Sequence, residues 1–385
     1  MARGGMSGFL FGAAGMFATM YSTQAILPQL GKEFMVGPAT AGLTISVLVV
    51  SVAAAAWFWG PLSDRIGRRR SLLWSSALLI LPTIGVALAP NFGLLLAFRV
   101  LQGLCMPGLL AVGVPYVMEA FTPQMGSRAM GYYVSSLVAG GLLGRVGVAL
   151  ITAAFGWRVG VGSMAALPLA ATLTMARSLP NLPFAESTRF SRRALAEHLR
   201  NRPLLLTTLG GAGMFFAFVG VFSFVEFRLE AAPFSYPASE SGLIFVLWLT
   251  GVCGPLAGRM AERIGWRAVA LLAVTTGMVG VTLSGPAALP TLVAGLALLT
   301  VAMFSGATAA QLGVGDVATH NRGLASALYF STYYVAGALG AYLPGIAWQA
   351  WQWPGVMAVA LVSLGISLAA IAAGRPVSSA ARSGR

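Results

Sequence analysis

Gly60-Pro61-Leu62-Ser63-Asp64-Arg65-Ile66-Gly67-Arg68-Arg69-Arg70 returns, in degenerate form, as Gly258-Arg259-Met260-Ala261-Glu262-Arg263-Ile264-Gly265-Trp266-Arg267. In both copies an acidic residue follows the first glycine by four positions, and the copies lie 198 residues apart. Glu119 and Asp316 are separated by 197 residues, and Trp157 and Trp353 by 196. Three landmarks holding nearly one offset across half the chain mark an internal repeat. The 385 residues therefore read as two related halves.

What surrounds these stretches is apolar. Hydrophobic residues make up 57% of the chain and charged ones 9%, and the mean hydropathy is +0.82. A soluble domain carries about 25% charged residues to keep its surface wet, so lipid must solvate much of this one. Apolar segments run over 8–30, 40–60, 71–89, 93–117, 129–152 and 157–176, and resume at 204–226, 238–258, 268–285, 290–312, 323–346 and 353–373. Each is near the ~20 residues needed to cross a bilayer. Residues 9–30, preceded by Arg3, exceed a signal peptide's apolar region of about 7–15 residues and are kept as the first span. The reading is an all-α membrane protein with twelve transmembrane helices in two six-helix bundles. Its expected domains are 1–176, a cytoplasmic linker over 177–203, and 204–385.

The net charge of +14 does not gather into a phosphate-binding face; it recurs in short runs between spans, so nucleic acid is not an expected partner. With the N-terminus inside, 19 of the 24 Lys+Arg fall on the inner side. Only Lys32, Arg158 and Arg228 fall outside, and Arg99 and Arg145 lie within spans. That bias expects both termini in the cytoplasm and the protein in the cytoplasmic (inner) membrane. The linker carries six arginines against Glu186 and Glu197, and 191–200 reads as either an amphipathic surface helix or a solvated connector. Cys105 and Cys253 sit in apolar spans as packing residues. His198 and His320 fall in expected loops without ligand spacing around them, so neither a metal nor another cofactor is expected.

Spans 3, 6, 9 and 12 lack interior charges and nearly lack aromatics, which suits lipid contact. The chemistry concentrates in the other eight, around an expected central cavity: Tyr21 and Gln24 in span 1, Arg99 and Gln102 in span 4, Tyr132, Tyr133 and Arg145 in span 5, Trp248 in span 8, Gln311 in span 10, and Tyr329, Tyr333 and Tyr334 in span 11. A charge inside a span costs at least about 2.5 kcal/mol, so each arginine must meet a partner. One reading gives Arg99 and Arg145 a small anionic solute, with Tyr21, Gln24, Gln102, Tyr329 and Tyr333 completing the site. The other ties them to backbone carbonyls or to Glu226. No carboxylate is expected at mid-span, which leaves Glu226 and Asp64 as candidate proton carriers.

The 60–70 stretch closely resembles the signature loop of the major facilitator superfamily, between spans 2 and 3, and the twelve spans and the linker extend the resemblance over the whole chain. Gly60 is read as letting helices approach, and the arginines as inner-interface anchors. The resemblance implies that Asp64, Arg65, Gly67 and Arg68 latch a cytoplasmic gate, with Glu262 in the second copy. Glu119 with Arg128, and Asp316 with Arg322, resemble the family's charge clusters at the inner helix ends. Leu95-x-x-x-Arg99-x-x-Gln102-Gly103 is similar to a second family motif. Gly140-x-x-x-Gly144-Arg145-x-Gly147 departs from the drug-antiporter pattern by placing arginine where proline stands. What remains resembles bacterial sugar-efflux and multidrug-type permeases. The function implied is secondary active transport of a small solute, in the efflux direction and with protons as a candidate coupling ion, by a monomer that is not an enzyme. The alternatives are an uptake permease for a small organic anion and a non-transporting receptor. No nucleotide-binding G-x-x-x-x-G-K-[ST] run is present.

Overall fold

The computed structural model describes residues 3–120, 123–180, 192–318 and 320–374. The first span is α1 (Arg3–Met20), a 3-10 turn (Gln24–Ile26) and α2 (Leu27–Phe34). Then come α3 (Pro38–Ile66), α4 (Arg68–Leu88), α5 (Phe92–Cys105), α6 (Pro107–Ala120), α7 (Pro123–Phe155), α8 (Trp157–Ser163) and α9 (Ala166–Ser178). The linker holds α10 (Arg192–Arg200). The second half contains α11 (Arg202–Glu230), α12 (Ala238–Ser241), a 3-10 helix (Gly242–Cys253), α13 (Gly254–Ile264), α14 (Trp266–Leu283), α15 (Leu289–Val317) and α16 (Arg322–Ala373). No strand occurs among the described residues.

Ten of these segments are long and apolar enough to span a bilayer. The 52-residue α16 divides at Gln352, where φ is 52° and ψ −140°, and the α1–α2 segment supplies the remaining span, so the expected twelve are present. Spans 2, 3, 7, 9 and 10 are single helices. Four others are not: the first breaks at Tyr21–Thr23, the fourth at Met106, the sixth at Met164–Ala165, and the eighth is half 3-10. Helices are imposed because a backbone amide in hydrocarbon has no water to bond to. Some hydroxyls inside spans return to their own helix, as Thr83 does to Leu79 O (2.7 Å) and Thr300 to Leu296 O (2.8 Å), and others cross to a neighbour, as Ser76 does to Pro168 O (3.0 Å). Pro38 opens α3 at a position whose N–H needs no partner, and Asn91 caps α5 by accepting from Leu94 N at 2.9 Å.

Contacts gather into two units. One comprises Met1–Thr188, Val219–Leu249 and Ala338–Val356; the other comprises Arg189–Phe218, Thr250–Gly337 and Met357–Arg385. In the first, α1 packs along α7 with no side chain between the backbones. A Cβ at Gly140 would lie 2.0 Å from Ala14 O, and one at Gly144 2.2 Å from Ala18 O. This is the small-residue approach by which membrane helices gain contact where apolar area drives little association. Trp74, Leu78, Leu81 and Leu88 form an exposed stripe on α4, as expected of span 3. Exposed large apolar residues also occur on α5 and α7 (Leu94, Leu101, Leu143, Leu150), so lipid-facing surface is not confined to every third span.

The linker segment resolves as a helix. His198, expected in a loop, lies in α10, 1% exposed, with its ring stacked on His320 at 5.1 Å. Glu197 accepts from Arg193 (3.1 Å) and pairs with His320 (2.9 Å), and the hydrogen bond from Arg193 is the main cause holding its carboxyl below the usual range. The other linker charges, Glu186 and Arg189, lie outside the described residues.

Gly144→Ala is expected to force α1 and α7 apart, an overpacking cost of about 1–3 kcal/mol. In detergent it should lower the melting temperature, whereas Gly147→Ala on the same helix, where an added Cβ meets nothing within 4 Å, should not. Equal melting temperatures for both variants would contradict the packing described.

Candidate functional site

The first span sets the site. α1 ends at Met20, and the break interrupts the helical donors to its last carbonyls, of which Thr19 O keeps Ser22 Oγ at 2.9 Å. Arg99, on α5 and fully buried, supplies donors in their place. Its Nη2 donates to Met20 O (2.7 Å), its Nη1 to Thr19 O (3.2 Å) and Gln102 Oε1 (2.8 Å), and its Nε to Thr44 O on α3 (2.7 Å). Gln102 passes the chain on to Thr83 Oγ1 (2.9 Å). A guanidinium at the C-terminal end of a helix also meets the negative end of its dipole. Of the two readings open from the sequence, Arg99 has the backbone carbonyls.

Arg145, on α7, takes the other side of the break. Its Nε donates to Gln24 Oε1 (2.6 Å) and its Nη1 to Gly141 O (2.6 Å). Its guanidinium carbon lies 3.7 Å from the ring centre of Trp248, 4.2 Å from Tyr21 and 5.2 Å from Phe245. The residue is 0% exposed, and Nη2 has no hydrogen-bond partner. Gln24 continues to Ser223 Oγ on α11 (3.0 Å). Neither arginine pairs with Glu226, the partner considered from the sequence. Glu226, 1% exposed, accepts from Ser241 Oγ through Oε2, and its Oε1 is unpartnered. One turn along α11, Glu230 binds Lys32 (2.7 Å) and Gln29 (3.2 Å). Ser46 Oγ donates to Ala338 O (2.6 Å), and a Cβ at Gly42 would lie 2.0 Å from Ala341 O. All these residues belong to the first contact unit, at the end opposite the 60–70 loop.

At the basic end, Gly67 turns the chain at φ 90° between α3 and α4. Arg68 bridges Asp64 (2.6 Å) and Glu119 (3.2 Å) and also bonds Ser63 Oγ. Arg69 donates to Leu179 O (2.8 Å) and Ala176 O (2.7 Å). Arg65 is exposed. Glu119 receives Arg68 from α4; the Arg128 side chain lies outside the described residues. One expectation is corrected here: Gly60 is not a contact point, since a Cβ there would meet nothing within 4 Å.

The second copy repeats the frame with different chemistry. Gly265 turns at φ 84°, and Arg267 donates to Ile371 O (2.9 Å) and Ala372 O, as Arg69 does to α9 and the residue after it. Trp266 stands in the place of Arg68, and its Nε1 donates to Asp316 (3.3 Å). Arg322 bonds Ala318 O (3.4 Å), and Glu262 is exposed. Tyr329 and Tyr333 belong to the second contact unit, in an aromatic cluster where Tyr333 stacks on Phe215 at 3.8 Å. Tyr329 is 1% exposed. The structure thus joins Tyr21, Gln24 and Arg145, joins Arg99 to Gln102, and keeps the two tyrosines as a group of their own. Thr44, Ser46, Ser223 and Phe245 were not singled out from the sequence. The polar run Thr19-Met20-Tyr21-Ser22-Thr23-Gln24 was the available signal for the break.

Repeated six-span halves, a broken first span and buried polar groups within the spans define a multi-pass membrane transporter. The chain belongs to the Major Facilitator Superfamily, whose sequence profile matches residues 9–248. It is 28% identical over 372 residues to the MFS-type transporter YybF of Bacillus subtilis (strain 168), covering 94% of this chain and 91% of that one. It is 30% identical over 357 residues to the inner membrane transport protein YnfM of Escherichia coli (strain K12), covering 91% and 86%. A bacterial homologue of the human lysosomal transporter Spinster, crystallised inward-facing and unoccupied, superposes with a TM-score of 0.75 at 15% identity, covering 97% and 95%. That last likeness is one of fold.

Arg99→Ala removes the donor to Met20 O and to Gln102 Oε1 in an apolar interior, at about 1–3 kcal/mol each, and weakens the bonding of Thr19 O, which keeps Ser22 Oγ. The expected result is protein that no longer purifies as a stable monodisperse species, with Arg99→Lys intermediate. An Arg99→Ala protein with wild-type melting behaviour would contradict the capping role.

Proposed function

We propose that this transporter works by alternating access, exporting a small solute across the cytoplasmic membrane. The halves 1–176 and 204–385 act as the moving bodies, joined by the 177–203 linker, in a monomer. The observation that carries this is the character of the contacts at the end opposite the 60–70 loop. Gln24–Ser223, Ser46–Ala338 and Lys32–Glu230 each join one half to the other. These three are single hydrogen bonds or an ion pair, which can break and re-form without unfolding either half. The 19-to-3 charge bias supports placing that end outside and both termini in the cytoplasm. The inner-membrane assignment draws on the name of the YnfM relative. The efflux direction rests on the resemblance to efflux permeases. At the cytoplasmic end, Asp64, Arg68 and Glu119 form the latch.

Of the two candidate proton carriers, Asp64 is held by Arg68. Glu226 has no cation within ion-pair distance among the described residues, and one oxygen is unpartnered. Its neighbour Glu230 is taken by Lys32. Closing the outer end buries Glu226, and burying a charged carboxylate without a cation is costly. Protonation therefore favours closure and alkaline pH favours opening, which is the linkage proton-driven export requires.

Spin labels at Lys32→Cys and Gln349→Cys, in a protein with Cys105 and Cys253 replaced by alanine, test the motion in proteoliposomes. Two distance populations are expected, the longer growing as pH rises; one unchanging population across pH contradicts alternating access. Glu226→Gln, which keeps an acceptor for Ser241, is expected to leave both populations and abolish their pH dependence. Persistent pH dependence in that variant removes Glu226 as the carrier.

A further inference from the structure

Arg145 sits in a box of aromatic side chains. Arg145 is 0% exposed, has no acidic partner among the described residues, and leaves Nη2 without an acceptor. A guanidinium in an apolar interior requires compensation, and here it comes from ring faces. Trp248 lies nearest at 3.7 Å, with Tyr21 and Phe245 beside it. Phe17 packs edge-on to Tyr21 (5.5 Å) and Phe222 edge-on to Trp248 (6.0 Å), so the surroundings are aromatic beyond the first ring.

The other two nitrogens are committed to Gln24 and Gly141. One nitrogen is left for one acceptor oxygen, and one buried positive charge balances one negative charge. Trp248 comes from the second half of the chain and Arg145 from the first. Opening at that end withdraws the indole and leaves a cation walled by Tyr21 and Gln24. We infer that Arg145 binds a monovalent organic anion, a carboxylate on a flat aromatic body, and that Trp248 occupies the aromatic body's place when the site is empty. The free Nη2 takes a carboxylate oxygen, and the ring stacks where the indole lay. Arg99 takes no part, because its donors are spent on Thr19, Met20, Thr44 and Gln102. The inference rests on the alternating-access reading, which must expose the box.

The test uses the purified full-length transporter and four probes of one shape: benzoate, the neutral benzamide, the cationic benzylamine and the dianionic phthalate. Benzoate is expected to raise the melting temperature in a concentration-dependent way, and the other three to do so at least tenfold more weakly. Arg145→Met should abolish the benzoate shift. Should that variant not fold, Trp248→Leu, which keeps Arg145 and removes the competing indole, should bind benzoate more tightly than wild type. Protection by benzamide equal to that by benzoate, no shift with benzoate, or weaker benzoate binding in Trp248→Leu would each overturn the assignment. The spin-label distances separate the two failures: two populations without a benzoate effect sink the substrate class and leave the transport reading intact.

Discussion

A helix that stops inside a membrane must find donors for its last carbonyls, and in this protein a buried arginine provides them. The break at Tyr21–Thr23 is the point from which the rest of the site is organised. Hydrocarbon offers no water to the carbonyls of Thr19 and Met20, so Arg99 reaches across from α5 to fill the gap. Once α1 is ended there, Tyr21 and Gln24 are free of helical geometry and turn to Arg145 on α7. Two cations, each costly alone, hold the two sides of one interruption.

The repeat explains what is shared between the halves, and its breaches explain what is not. Gly67 and Gly265 make the same turn, and Arg69 and Arg267 the same backbone clasps. Where the first half has Arg68 between two carboxylates, the second has Trp266 donating to Asp316. An arginine donor has been replaced by a neutral indole donor to a carboxylate. Similarly, Gly156 precedes Trp157 at φ 83°, whereas Gln352 precedes Trp353 at φ 52°, a backbone region that suits glycine better.

Span number, repeat and loop turns were legible because they are written in hydropathy and in glycine spacing. Arg99 and Arg145 announced themselves as charges in apolar segments, but their partners did not. Four of the acceptors are backbone carbonyls, which every residue carries and no sequence marks. The pairing of Glu119 with Arg68, 51 residues away, could not be read from spacing along the chain. The kink at Gln352 falls between the segments 323–346 and 353–373 that hydropathy separates, whereas the 3-10 geometry of Gly242–Cys253 is not written in the apolar pattern. The aromatic box required Trp248 and Phe245 to come from the opposite half, a juxtaposition that periodicity within one helix cannot give.

Arg145 of the first half meets Trp248 and Phe245 of the second, and cysteine accessibility is the most direct test of whether that contact holds the end opposite the 60–70 loop closed. Ala25, in the 3-10 turn beyond the break, is 0% exposed, and Ala25→Cys can be labelled with a membrane-impermeant thiol reagent once Cys105 and Cys253 are replaced. In whole cells the site should resist labelling when Arg145 is present and react readily when Arg145→Met is added. Equal protection in both proteins would mean that the outer end closes without Arg145.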